Sequence, residues 1–152
     1  MAFDIDLTTP EKAAVPVDGM GKVFVMKKEV DFTVTANKLA QNKSMGLMLV
    51  PAGVLVLEVI MRVKTPDTDV TDVDIGSYTA AGVAVSADGF QDGATLASAG
   101  IVRDVTGETY SLQTGTAGYS STDTWAIGIL NNDADTINEA VVEFIALCVD
   151  CR

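Results

Sequence analysis

The run Gly53-Val-Leu-Val-Leu-Glu-Val-Ile-Met-Arg-Val-Lys-Thr65 decides the fold class. Aliphatic and β-branched residues fill it, and after Gly53 it holds no turn former, so it reads as one long β-strand. At a period of two, Leu55, Leu57, Val59, Met61 and Val63 fall on one side without a polar interruption. That side is expected to face the core. The other side carries Val54, Val56, Glu58, Ile60, Arg62 and Lys64, too apolar for open water yet holding charges of both signs. A strand half-buried in its own domain and half in a neighbour has this composition. Val54, Val56, Glu58, Ile60 and Arg62 are therefore the candidate contact with another subunit.

Strand signals continue on both sides of this run. From Lys22, Val23 and Val25 alternate with Phe24 and Met26, and Val30, Phe32 and Val34 follow Lys27-Lys28. The apparent change of face near Lys27 predicts a bulge or a hairpin turn there. Residues 36–44 are polar and read as a short helix or a loop, and Met45 to Val50 as a short strand ended by Pro51-Ala52-Gly53. Beyond Thr65-Pro66-Asp67, a strand is expected from Val70 to Ser77, with Thr71, Val73 and Ile75 buried and Asp72 and Asp74 wet. Residues 78–93, rich in Gly and Ala, read as a loop with Phe90 as an aromatic anchor. Further strands are expected at 101–104, 110–112, 123–130 and 140–149. The last is apolar on both faces, so it is a central strand or another buried contact.

About eight strands, separated by Gly, Asn and Asp turns and without αβ alternation, predict an all-β fold. The expected architecture is an antiparallel β-sandwich, jelly-roll-like, with an extended N-terminal arm. The arm covers residues 1–21, which hold neither periodicity but contain Pro10, Pro16, Gly19 and Gly21; the sandwich covers 22–152.

Composition narrows the function classes. A chain of 152 residues can bury roughly two-thirds of its unfolded surface. Its net charge of −11 argues against binding nucleic acid through phosphates, since no excess of Lys and Arg exists to release counterions. The charge is uneven: residues 1–64 hold 8 basic and 7 acidic side chains, residues 65–152 hold 2 and 14. An acidic face toward solvent and a neutral one toward a partner would produce this split. Met-Ala-Phe-Asp-Ile-Asp reads as no secretory leader. The longest uncharged window, 44–57, is about 14 residues and broken by Pro51, too short to cross a bilayer.

Residues able to carry chemistry are sparse. The absence of histidine excludes Ser-His-Asp and Cys-His arrangements and His-containing metal sites. Cys148 and Cys151 have the spacing of a redox pair, but they end a strand rather than open a helix, and are expected to be reduced and inert. Asp67, Asp69, Asp72 and Asp74 are the densest acidic cluster, and Asn131 to Asp135 resembles the opening of a calcium loop. That loop lacks the Gly after its third ligand and the Glu at the twelfth position. Gly19-Met-Gly-Lys22 is a turn, not a phosphate loop. Glu58, Glu108, Glu139 and Glu143 are the carboxylates available to a glycosidase, and nothing in the sequence pairs them. No cofactor is expected.

Val50-Pro-Ala-Gly53 with the long strand behind it, Asp72-Val-Asp-Ile-Gly76, Asp88-Gly-Phe-Gln-Asp-Gly93 and Trp125-Ala-Ile-Gly-Ile129 together resemble small structural proteins of tailed bacteriophages. The resemblance covers about residues 45–149. It implies a non-enzymatic β-sandwich in the virion, most often a capsid decoration (cement) protein standing as a homotrimer on the major capsid shell. It implies no catalytic or cofactor residues, and no nucleic-acid or membrane partner. Under it, Val54, Val56, Glu58, Ile60 and Arg62 become the subunit or shell contact. A tail or head-fibre module binding host glycan is the alternative; it requires an exposed aromatic patch around Tyr78, Phe90 or Tyr119.

Overall fold

The computed structural model describes residues 22–103, 109–110 and 118–152. Eight strands form two antiparallel four-stranded sheets. They are β1 (Lys22–Asp31), β2 (Lys43–Val50), β3 (Val54–Thr65), β4 (Val73–Thr79), β5 (Ala84–Ala94), β6 (Gly100–Val102), β7 (Trp125–Asn131) and β8 (Val141–Asp150). Sheet I has the order β1-β8-β3-β6 and sheet II the order β2-β7-β4-β5. Apart from β4 and β5, consecutive strands lie in different sheets, so the chain crosses the core repeatedly. The fold is a β-sandwich, as the strand count and turn residues predict. The polar stretch 36–44 is entered through a 3-10 turn, Thr35–Asn37, and its end, Lys43 and Ser44, opens β2.

The core lies between the inner faces. Sheet I supplies Val142, Phe144, Ala146 and Cys148 from β8, and Val59, Met61 and Val63 from β3. Sheet II supplies Ile127 and Ile129 from β7, and Val73 and Ile75 from β4. At one end an aromatic cluster closes the space. Tyr119 meets Trp125 edge-on at a ring separation of 4.7 Å, and Phe90 lies 5.0 Å from Tyr110. Edge-on and offset geometries of this kind contribute beyond area alone.

Four elements differ from the sequence reading. In β3 the register slips between Val56 and Glu58, so Leu57 is an extra residue and the strand changes face. Before the bulge Val54 and Val56 point inward, 0% exposed; after it Val59, Met61 and Val63 do. Leu55 and Leu57, expected in the core, are instead partly exposed. A continuous period-two count fails here because both phases of 54–57 are aliphatic.

β1 shows the reverse error. It pairs with β8 from Lys22 to Asp31 without a slip, so no bulge or turn lies at Lys27. Phe24, Met26 and Val30 share the inner side, leading on to the wholly buried Phe32, while Val23 and Val25 look outward. Residues 84–94, expected as loop, form strand β5, whose Gly, Ala, Ser and Asp give no alternation to read. β4 begins at Val73 and is buried on both sides through Tyr78, so Asp74 is not wet. Of the strand expected at 110–112, Tyr110 lies in a turn and the remainder falls outside the described residues, as does the 1–21 arm.

Candidate functional site

The outer face of sheet I is the candidate site. Side chains directly opposite in antiparallel strands share a face, so the register defines the surface row by row. Val23, Val149 and Leu55 make one row; Val25, Leu147 and Glu58 the next; Lys27, Ile145 and Ile60 the third. Glu29, Glu143 and Arg62 complete it, with Ile101 of β6 beside Arg62. All the outward β8 residues are partly exposed, though β8 is a central strand. Val25 is 38% exposed and Ile101 68%. The result is an apolar field at one end of the sheet with charges along its margin.

The charges of Glu29, Glu58, Arg62 and Glu143 are paired. The Arg103 guanidinium donates twice to the Glu58 carboxylate, at 2.7 Å from Nε and 2.7 Å from Nη2. This fork geometry fixes both side chains and raises the Arg103 pKa. Lys64 bridges Glu29 and Glu143, and Arg62 stands 4.0 Å from Glu143. Lys64 is a second extra residue, at the register slip between Val63 and Thr65. Exposed ion pairs of this kind contribute about 0–1 kcal/mol each. Their effect is to make the margin neutral rather than to hold the fold.

Of the contact residues named from sequence, Glu58, Ile60 and Arg62 lie on this face. Val54 and Val56 do not: they are wholly buried in the chain's own core, because the bulge turns them inward, and offer no area to a partner. The sequence reading missed Leu55 and Leu57, assigned to the core, and the contribution of Ile145, Leu147 and Val149. The signal for the latter was the doubly apolar pattern of 141–149.

The other candidates are accounted for by structure. Asp67 is 3% exposed and accepts backbone N–H bonds from Asn138 (2.8 Å) and Glu139 (3.0 Å). Asp74 accepts from the Gly93 N–H at 2.9 Å and from the Asn132 amide; burial raises its pKa despite these bonds. Asp133 accepts from the backbone of Thr71, which lowers its pKa. Among the described residues no group of three or more Cys, Asp or Glu is arranged to hold a metal ion. Glu58 and Glu143 share a face but lie two rows apart, four residues of strand and about 13 Å at strand rise, beyond the roughly 5–9.5 Å of glycosidase pairs. Glu108 falls outside the described residues.

Cys148 is buried, and burial pushes its thiol up to about 11, while Cys151 is exposed. The two therefore do not form a reactive pair. Tyr78 and Phe90 are buried and Tyr119 packs into the aromatic cluster, so the aromatic patch required for glycan binding is not formed by these residues. A groove of about 420 Å³ on the outer face of sheet II is lined by Met45, Gly46, Leu49, Tyr78, Gly82 and Ala126 among others, none of them acidic or basic.

No known family profile and no curated protein matches the chain in sequence. Its fold is similar to that of chains in three bacteriophage capsid structures. A chain of the cyanophage Pam1 capsid asymmetric unit matches with a TM-score of 0.58 and 18% identity, over 95% of this chain and 98% of that one. A chain of the Ralstonia phage GP4 capsid gives 0.61 and 17%, over 90% of each. A chain of the acid-stable capsid of Helicobacter pylori bacteriophage KHP30 gives 0.52 and 17%, over 84% and 86%. At these identities the likeness is one of fold, and it extends along nearly the whole length of both partners.

Proposed function

We propose that this chain is a non-enzymatic structural protein of a tailed-bacteriophage virion, specifically a decoration (cement) protein of the capsid. In this reading it assembles in the host cytoplasm, stands as a homotrimer on the capsid surface, binds the major capsid protein and stabilises the shell. The observation that carries the proposal is the near full-length fold likeness to chains of three phage capsids. The strand alternation between sheets supports reading the sandwich as a jelly roll. The outer face of sheet I, including Glu58, Ile60 and Arg62, is the surface through which the chain joins the assembly. An apolar centre with a paired-charge margin is the anatomy of a protein–protein contact.

Co-sedimentation with empty shells of the major capsid protein tests this. Saturable binding, with shells that then resist heat or osmotic shock, is the expected result. Shells that bind none of the protein would remove the decoration role. The glycan-binding alternative loses its main requirement with the burial of Tyr78 and Phe90.

A further inference from the structure

We propose that the groove on the outer face of sheet II is the seat of the chain's own N-terminal segment, with Phe3, Ile5 and Leu7 as the side chains that fill it. The inference does not rest on the virion role, and a chain that ignored shells would leave it untouched.

Sheet II carries three glycines abreast. Gly46 of β2 pairs with Gly128 of β7, which pairs with Gly76 of β4, so the outer face has no side chain along this row. Two of the three are covered from within the chain. The β5 backbone at Ser86 and Ala87 lies over Gly76, and the Tyr78 ring lies over Gly128. Over Gly46, apart from its chain neighbours, no described atom stands within 4 Å of where a Cβ would be. The groove opens there. Its volume of about 420 Å³ lies within the roughly 300–1,000 Å³ of sites that take up a ligand.

The lining asks for an uncharged occupant with a hydrogen-bond acceptor. No residue lining the groove is acidic or basic. Tyr78, one of its walls, is 5% exposed, and its hydroxyl has no hydrogen-bond partner among the described residues. Buried hydroxyls are rarely left so, and a main chain laid in the groove brings carbonyl acceptors. Leu49 at the rim is 62% exposed, and Val83, next in the chain to the lining residue Gly82, is 65% exposed. Apolar surface grouped in this way marks a contact.

The topology names the occupant. The described chain begins at Lys22, in one row with Asp150 and Val54. Val54 follows β2 through the turn at 51–53, so Lys22 lies at the end of the sandwich where Leu49 and Val50 close β2. β1 and β2 are the edge strands on one side of the two sheets, and they touch. Residues 8–21 reach up to about 45–50 Å when extended, several times the roughly 10 Å between packed sheets. Residues 1–21 hold no sustained period, yet Phe3, Ile5 and Leu7 alternate with Asp4 and Asp6 over one short run. Laid extended along the groove, that run turns three apolar side chains onto the uncharged floor and keeps both carboxylates in water.

Disulfide trapping in the full chain tests the inference. In a Cys151→Ser background, Ile5→Cys with Leu49→Cys should close an intrachain bond when dilute protein is treated with diamide. The bond is read as a single-chain band that runs faster without reductant. Ile5→Cys with Val34→Cys is the control, since Val34 is 49% exposed and lies past the far end of β1; that pair should stay reduced. A second variant leaves the groove intact. Phe3→Ser, Ile5→Ser and Leu7→Ser together should speed amide exchange over residues 44–49 by about tenfold or more, with β8 unchanged.

Oxidation of both pairs alike, or of neither, overturns the inference. So does exchange over 44–49 that ignores the serine substitutions. A covalent dimer from the Ile5→Cys, Leu49→Cys chain, in place of the single-chain band, would seat the segment on another copy and overturn it too.

Discussion

Gln91 of β5 donates its side-chain amide to the backbone carbonyl of Val59 in β3, 2.7 Å away, and so ties sheet II to sheet I through the core. The same amide lies 3.3 Å from the Val102 carbonyl of β6. Val59 is the first inward residue after the Leu57 bulge, so the bond holds the strand where its phase resets. Gln91→Met keeps the volume but removes the donor. It should lower unfolding free energy by about 1–3 kcal/mol, the cost of a buried acceptor left unpaired. Urea denaturation measures it, with an unchanged midpoint as the contrary outcome.

Asp67 is a structural anchor in this account, not a calcium ligand. Its carboxylate accepts two backbone N–H groups at 138 and 139 while almost wholly buried. Asp67→Ala should cost about 2–3 kcal/mol or more, because both bonds are charge-assisted and two donors lose their partner. The loss should be the same with calcium or with a chelator present. Thermal melts under both conditions decide it.

Gly76 lies where β5 folds over β4. A Cβ there would sit 2.0 Å from the Ser86 carbonyl oxygen and 2.3 Å from the Ala87 backbone. Backbone cannot yield as a side-chain tip does, so Gly76→Ala should destabilise by about 3 kcal/mol or more. Gly46→Ala meets nothing within 4 Å and should stay within about 0.5 kcal/mol of wild type. Comparing their melting temperatures separates close approach from a general intolerance of alanine.

The buried Asp74 makes a pH prediction. Burial raises its folded-state pKa above the model-peptide value of 3.8. The favourable contribution of its protonated form is therefore fully present below 3.8 and lost as pH rises through the folded pKa. Asp74→Asn should gain stability relative to wild type as pH rises from about 4 to 7. Urea midpoints of both proteins across that range check the sign; a difference that does not change with pH would contradict it.

The thiols should behave as two unlike groups. With its pKa near 11 and its side chain in the core, Cys148 should resist iodoacetamide at pH 8, while Cys151 is modified. Mass spectrometry of native and urea-unfolded protein distinguishes one label from two.

How much of this was legible in the sequence follows from the residues concerned. The doubly apolar run 141–149 predicts a central strand or another buried contact, and β8 is a central strand. Trp125, Ile127 and Ile129 alternate cleanly and all point inward. The phase of 53–65 was not legible, because Val54-Leu55-Val56-Leu57 is aliphatic in either register and only pairing with β8 shows which residue is extra. β5 was missed because its strand character comes from pairing with β4, not from side chains. Consequently two of the five contact residues named from sequence, Val54 and Val56, lie in the core, while Leu55 and Leu57, read as core, are partly exposed. The neutral margin of the sheet I face was half legible, in the balance of charge over residues 1–64; placing Glu143 and Arg103 beside Arg62 and Glu58 required the fold.

The most direct measurement is an image of phage heads made with and without this protein, at a resolution that shows domains. The account predicts sandwich-sized densities clustered on the outer surface of heads that contain it, and a bare shell where it is missing. Heads identical in both preparations, or density confined to the tail, would contradict it.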